Sequence, residues 1–138
     1  MRKINFISII DDDPITVFGM KKILGSVVEC QNIITLENGL LAIDKMKEIV
    51  KKNIALPDII FLDINMPIMN GWEFLEEFIT ISIKNTIRIN IVTSSISDED
   101  RVKAETYKCR THHHLNFYSK PLYKESIIEI IDNSFIKQ

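Results

Sequence analysis

The stretch Pro57-Asp58-Ile59-Ile60-Phe61-Leu62-Asp63-Ile64-Asn65-Met66-Pro67-Ile68-Met69-Asn70-Gly71 decides how the chain is read. Ile59 to Leu62 is an unbroken apolar run of strand length, and a run apolar on both faces points to a buried, parallel strand. It ends in a carboxylate, Asp63. After that acid, Pro67 lacks an amide hydrogen and biases Met66 away from helical angles, while Gly71 tolerates positive φ, so an irregular loop is predicted. An acid is thereby held where a buried strand meets a shaped loop, a suitable place for chemistry.

Toward the N-terminus the same alternation recurs. Ala42, Met46, Ile49 and Val50 give a helix an apolar face; before it, Asn32 to Leu36 reads as a strand closed by Asn38-Gly39. Earlier still, Val17, Met20 and Leu24 stand at helical spacing. Asp13 and Pro14 suit the start of that helix and Gly25 its end. Asn5 to Ile10 is the first strand, stopped by Asp11, Asp12 and Asp13.

Toward the C-terminus, Trp72, Leu75 and Ile79 continue as a helix. Arg88 to Val92 is a fourth strand ending in Thr93, Ser94 and Ser95. Ser97 or Asp98 caps the next helix, which runs to about Tyr107 and is the least amphipathic of the set. Leu115 to Ser119 is a fifth strand, followed by Lys120-Pro121 and a last helix whose core face includes Ile127, Ile131 and Phe135. Strict strand–helix alternation predicts an α/β fold, one parallel five-stranded sheet with helices on both faces and right-handed crossovers.

Composition sets the bounds. With 138 residues, 46% hydrophobic and 26% charged, the chain reads as a single domain over 1–138 with its core at about 5–135. The net charge of -2 gives no electrostatic reason for nucleic-acid binding, and pairs such as Lys21-Lys22 and Lys51-Lys52 fit solvated helix faces. Cys30 and Cys109 form no Cys-x-x-Cys pair, which favours small packing thiols in a reduced, cytoplasmic protein. The three aspartates interrupt the N-terminal apolar segment too early for a signal peptide. No apolar run approaches the roughly 18 residues of a membrane span. The 17 residues after Pro121 suffice for the last helix, so no output domain is expected.

In an open parallel sheet, ligands bind beyond the carboxyl ends of the strands. Asp11 and Asp12 follow strand one, Asp63 ends strand three, Thr93 ends strand four and Lys120 follows strand five. Alone, each is ordinary: a cap, a turn acid, a strand-end hydroxyl, a solvated cation. Together they deliver three acids, a hydroxyl and a lysine to one edge. Clustered carboxylates resist ionisation unless neutralised, and oxygen-only donors suit a hard ion such as Mg2+. A carboxylate, Mg2+, a lysine and a hydroxyl are the parts needed for phosphoryl transfer onto Asp63.

From about Asn5 to Phe135 the chain resembles a response-regulator receiver domain of the CheY-like type. The likeness rests on Ile-Asp-Asp-Asp-Pro at 10–14, Phe-Leu-Asp-Ile-Asn-Met-Pro-Ile-Met-Asn-Gly at 61–71, Val-Thr-Ser at 92–94 and Ser-Lys-Pro-Leu at 119–122. Any one is weak; all four in this order are specific. The resemblance implies the doubly wound, flavodoxin-like (βα)5 fold with strand order 2-1-3-4-5.

It also implies roles: Asp63 as acceptor of phosphorus from a phosphohistidine of a sensor histidine kinase or histidine phosphotransfer protein. Asp12, Asp63 and the carbonyl of Asn65 would bind Mg2+, with Asp11 acting mainly through water. Thr93 and Lys120 would contact the phosphoryl group, and Phe117 would be the switch aromatic that moves with Thr93. The Lys120-Pro121 bond would be cis. The output face would comprise the fourth helix, fifth strand and fifth helix, meeting a downstream protein target. Asn65 and Ser95 stand where relatives tune phosphoryl lifetime.

The segment from Cys109 to Asn116 departs from the family pattern, and its His112-His113-His114 run reads as a solvated loop. The chain reads as a phosphoacceptor rather than an enzyme. A constitutive, phosphorylation-independent interaction module is the alternative, and the complete acid, threonine and lysine set argues against it. A Mg2+-dependent phosphatase of the haloacid-dehalogenase type would want a second acid two residues after the nucleophile, where Asn65 stands.

Overall fold

The computed structural model describes residues 1–94 and 97–135, which leaves Ser95 outside. The elements alternate as β1 (Arg2–Ile10), α1 (Pro14–Val27), β2 (Val28–Leu36), α2 (Gly39–Lys51), β3 (Ile59–Leu62), α3 (Gly71–Phe78), β4 (Arg88–Thr93), α4 (Asp98–Arg110), β5 (His114–Ser119) and α5 (Lys124–Asn133). All five strands are parallel in the order β2-β1-β3-β4-β5. β3 is central, and its four residues are all buried, as their unbroken apolar run requires.

Side-chain alternation along β3 divides the core in two. Ile60 and Leu62 pack with Ala42, Ile43 and Met46 of α2, Phe74 and Phe78 of α3, and Ala104 and Tyr107 of α4. Ile59 and Phe61 pack on the opposite face with Met20 and Leu24 of α1 and Ile127, Ile130 and Ile131 of α5. Helices on both faces leave the carboxyl ends of the strands as an open edge.

Several boundaries depart from the predicted ones. α1 continues through Gly25 to Val27 and passes directly into β2, because Gly25 does not take the positive φ that would end a helix. β1 and β2 both start earlier than their apolar runs, since Arg2, Lys3 and Ile4 pair with Val28, Glu29 and Cys30. α4 extends to Arg110. Phe135 lies beyond the end of α5 and is exposed, its ring under the Arg2 guanidinium at 4.5 Å instead of in the core. Cys30 is half-buried and Cys109 exposed, so only Cys30 fits the packing-thiol reading.

The histidine run is not a solvated loop. His114 begins β5, and His113 is buried beside Phe78, with its Nδ1 accepting the Ile87 amide at 3.0 Å. Of the three, only His112 is exposed. Two helix starts hold as read, while α3 ends at Phe78, one residue short of Ile79. Asp13 caps α1 through the Ile15 amide, and Ser97 caps α4 in a reciprocal box with Asp100.

Candidate functional site

The loop after β3 is shaped by close approach rather than by glycine φ. No glycine has positive φ; Ile68 does, at 69°, where the Met69 amide reaches the Pro67 carbonyl at 2.8 Å in a tight turn. Gly71 is required for another reason: a Cβ there would strike the Asp63 carbonyl and lie 2.9 Å from the Ile64 Cα. The Gly71 amide donates to the Ile64 carbonyl at 2.9 Å, and α2 leans on the same loop through Gly39, whose amide donates to the Met69 carbonyl at 2.8 Å. The backbone beside Asp63 is therefore fixed from both sides.

Four of the predicted residues converge at this edge. Asp11, Asp12 and Asp63 offer carboxylate oxygens within 4.8 Å of one another. Asp11 and Asp63 are 6% and 5% exposed, whereas Asp12 is open to solvent. Lys120 is half-buried among them, its Nζ 2.8 Å from Asp11 Oδ2 and 3.6 Å from Asp63 Oδ2. Register explains the meeting. The Asp63 amide continues the ladder onto the Ile10 carbonyl at 2.9 Å, and the Lys120 amide continues it onto the Thr93 carbonyl at 2.8 Å.

Burial, and then the neighbouring Asp11 charge, push the Asp63 carboxyl up to about 6, with Lys120 opposing them. Burial alone would lower Lys120. Its hydrogen bond to Asp11, with the charges of Asp11 and Asp63, outweighs that and holds the ammonium above its ordinary range. The site thus carries more negative charge than its one lysine offsets. An oxygen-only donor set this close, with one carboxylate open to water, fits a hard divalent cation.

Thr93 ends β4 on the face of Ile91. Its Oγ1 is fully buried and has no hydrogen-bond partner among the described residues. Phe117, paired with Ile91 on β5, is half-buried against the core on that same face. Asn65 is exposed just beyond Asp63. Lys120-Pro121 is cis. Ser8 Oγ, deep in β1, is also without a partner among the described residues, and nothing in the structure explains it. Sequence reasoning had Lys120 facing the phosphoryl position; that it rests mainly on Asp11 is visible only in three dimensions.

Residues 7–132 match the family model of the response regulator receiver domain. Among curated proteins, the protein-glutamate methylesterase/protein-glutamine glutaminase of Treponema pallidum is 32% identical over 126 residues, 86% of this chain and 27% of its own. Its counterpart from Treponema denticola is 30% identical over 122 residues, covering 86% and 29%. The chain thus spans little more than a quarter of these relatives, and no esterase activity passes to it.

Among solved structures, a two-component response regulator from Cytophaga hutchinsonii superposes with a TM-score of 0.78 at 29% identity, over 96% of this chain and 98% of that one. A chain of the CheX–CheY–BeF3–Mg2+ complex from Borrelia burgdorferi shares the fold, with a TM-score of 0.72 at 22% identity over 96% and 90%. The chain belongs to the response regulator receiver domain family of two-component systems. Its fold is the CheY-like, flavodoxin-like one with strand order 2-1-3-4-5.

Proposed function

We propose that this chain accepts a phosphoryl group on Asp63 from a histidine kinase or histidine phosphotransfer protein, and thereby alters the α4–β5–α5 surface to control a downstream protein. The observation that carries this reading is the convergence of Asp11, Asp12, Asp63 and Lys120 at one sheet edge. An Asp63 carboxylate oxygen attacks phosphorus, an O–P bond forms, and the P–N bond to the donor imidazole breaks. The leaving nitrogen keeps the electron pair and takes up a proton. Mg2+, held by Asp12, Asp63, the Asn65 carbonyl and, mainly through water, Asp11, would supply positive charge to the phosphoryl oxygens.

Lys120 turns part of its charge from Asp11 toward the new group. The Thr93 hydroxyl, now without a partner among the described residues, donates to a phosphoryl oxygen, and Phe117 follows it inward. Phe18 and Leu41 line a cleft of about 420 Å3 with Asp11 and Asp12, and Ile15 lines another of about 270 Å3 with Lys120. These give a protein donor apolar footing beside the acid. The free Cys30 and Cys109 support a reducing, cytoplasmic setting. No helix among the described residues is long and apolar enough to cross a membrane.

Intact-protein mass after exposure to acetyl phosphate tests the reading. A Mg2+-dependent gain of one phosphoryl group, lost in Asp63→Asn, is expected. Labelling that persists in the variant would put the acceptor elsewhere, and no labelling under any condition would leave a constitutive interaction module.

A further inference from the structure

α4 has little of its own to hold it in place. Ala104 and Tyr107 are its only buried residues, yet it starts just beyond Thr93. Its attachment to α3 comes from a single stripe. Asp100, Lys103, Tyr107 and Arg110 are spaced three, four and three apart and so share one helix face; Trp72 and Glu76, four apart, share a face of α3.

The Trp72 and Tyr107 rings stack in parallel, 5.6 Å between centroids and 8° between planes. The Trp72 indole N–H donates to Asp100 Oδ1 at 3.2 Å, while the other Asp100 oxygen accepts the Ser97 amide at 3.4 Å and closes the cap of α4. Lower down, the Tyr107 hydroxyl donates to Glu76 Oε2 at 2.7 Å, and Arg110 grips Glu76 with two bonds of 2.9 and 2.8 Å. Lys103 lies over Trp72 at 5.8 Å and Arg110 over Tyr107 at 5.2 Å. The Glu76–Arg110 pair is exposed and weak alone. The stack carries the attachment, because both rings are buried.

α3 is in turn tied to the backbone beside Asp63. Gly71 at its first position is bonded to Ile64, and Asn70 and Glu73 form a reciprocal cap. We propose that this aromatic–carboxylate stripe is a latch fixing the resting position of α4 against α3, so that activation must open the Trp72–Tyr107 stack and Trp72 sets how strongly the resting state is favoured. The activation half of this claim rests on the phosphoacceptor reading. The latch itself does not.

Amide hydrogen exchange of the full unliganded chain tests the latch. Trp72→Leu, which removes the stack and the bond to Asp100 while keeping an apolar side chain, and Glu76→Ala, which releases Tyr107 and Arg110, should each speed exchange in 98–110 by about threefold or more while α1, α2 and α5 are unchanged. Unchanged α4 exchange in both variants would overturn the proposal. For activation, the probe is beryllofluoride with Mg2+. Trp72 is the sole tryptophan, so its emission in the wild type should change on saturation, and Glu76→Ala and Tyr107→Phe should bind the probe about three- to tenfold more tightly. Calorimetrically saturated protein with unaltered emission and unaltered variant affinities would overturn the coupling. A wild type that does not bind the probe at all would sink the phosphoacceptor reading instead, and the exchange result would still decide the latch.

Discussion

At His113 the imidazole is held neutral, near 4, by burial first and then by the charges of His112 and His114. An unfolded chain takes up that proton near pH 6.5, so between about 6.5 and 4 the unfolded state binds more protons and stability falls as pH drops. Asp63 has the opposite sign: its raised folded value makes the folded state the better proton binder between about 3.8 and 6. The two offset each other in the wild type. In Asp63→Asn that offset is gone, and urea melts should show stability declining below pH 6.5 more steeply than in the wild type, with His113 contributing up to about 1.4 kcal/mol per pH unit and the lowered His114 adding in the same direction. The same variant, at pH 8 without divalent ions, should be more stable than wild type by about 1–2 kcal/mol, since it no longer buries a carboxylate beside Asp11. Asp11, Asp12, Asp63 and Lys120 were legible because each sits at a strand end. His113 was not: adjacent histidines look polar, and nothing in the run shows that Phe78 and the Ile87 amide lie in wait for one of them.

Among the elements, glycines separate two kinds of constraint. A Cβ on Gly25, within α1, would meet nothing within 4 Å, whereas one on Gly71 would collide with the Asp63 and Ile64 backbone. Urea denaturation should find Gly25→Ala stabilising by about 0.5–1 kcal/mol. Gly71→Ala should cost about 2 kcal/mol or more and displace the Asp63 loop. Sequence reasoning marked Gly25 as a helix end and Gly71 as a positive-φ position, and both readings fail for one reason: a glycine's φ depends on what its surroundings demand. α4 was the least legible element. Its neighbours advertise an apolar stripe, while it is held by Trp72 and Glu76 on another helix, which no periodicity within 98–110 can reveal.

For the whole molecule the alternation of elements sufficed. The continuous apolar run of β3 announced a central strand buried on both faces, and every crossover then had to bring its strand parallel. The strand order came from the family likeness of the motifs, since periodicity says nothing of which strands are neighbours. A ligand that binds only the folded site stabilises the fold by mass action. Mg2+ at about one hundred times its dissociation constant should therefore raise stability by about 2.7 kcal/mol, read as a shift in thermal midpoint that Asp63→Asn largely loses.

Three carboxylates against one ammonium leave the candidate site two charges negative, and the formal charge of the entire chain is also -2. The remaining charged side chains sum to zero, so the site accounts for the formal net charge of the chain. A divalent cation seated there would discharge the protein as a whole. Copies that repel one another through solution while the edge is empty would lose that repulsion on loading, so colloidal behaviour, followed by light scattering against Mg2+ concentration, becomes a readout of a single small site.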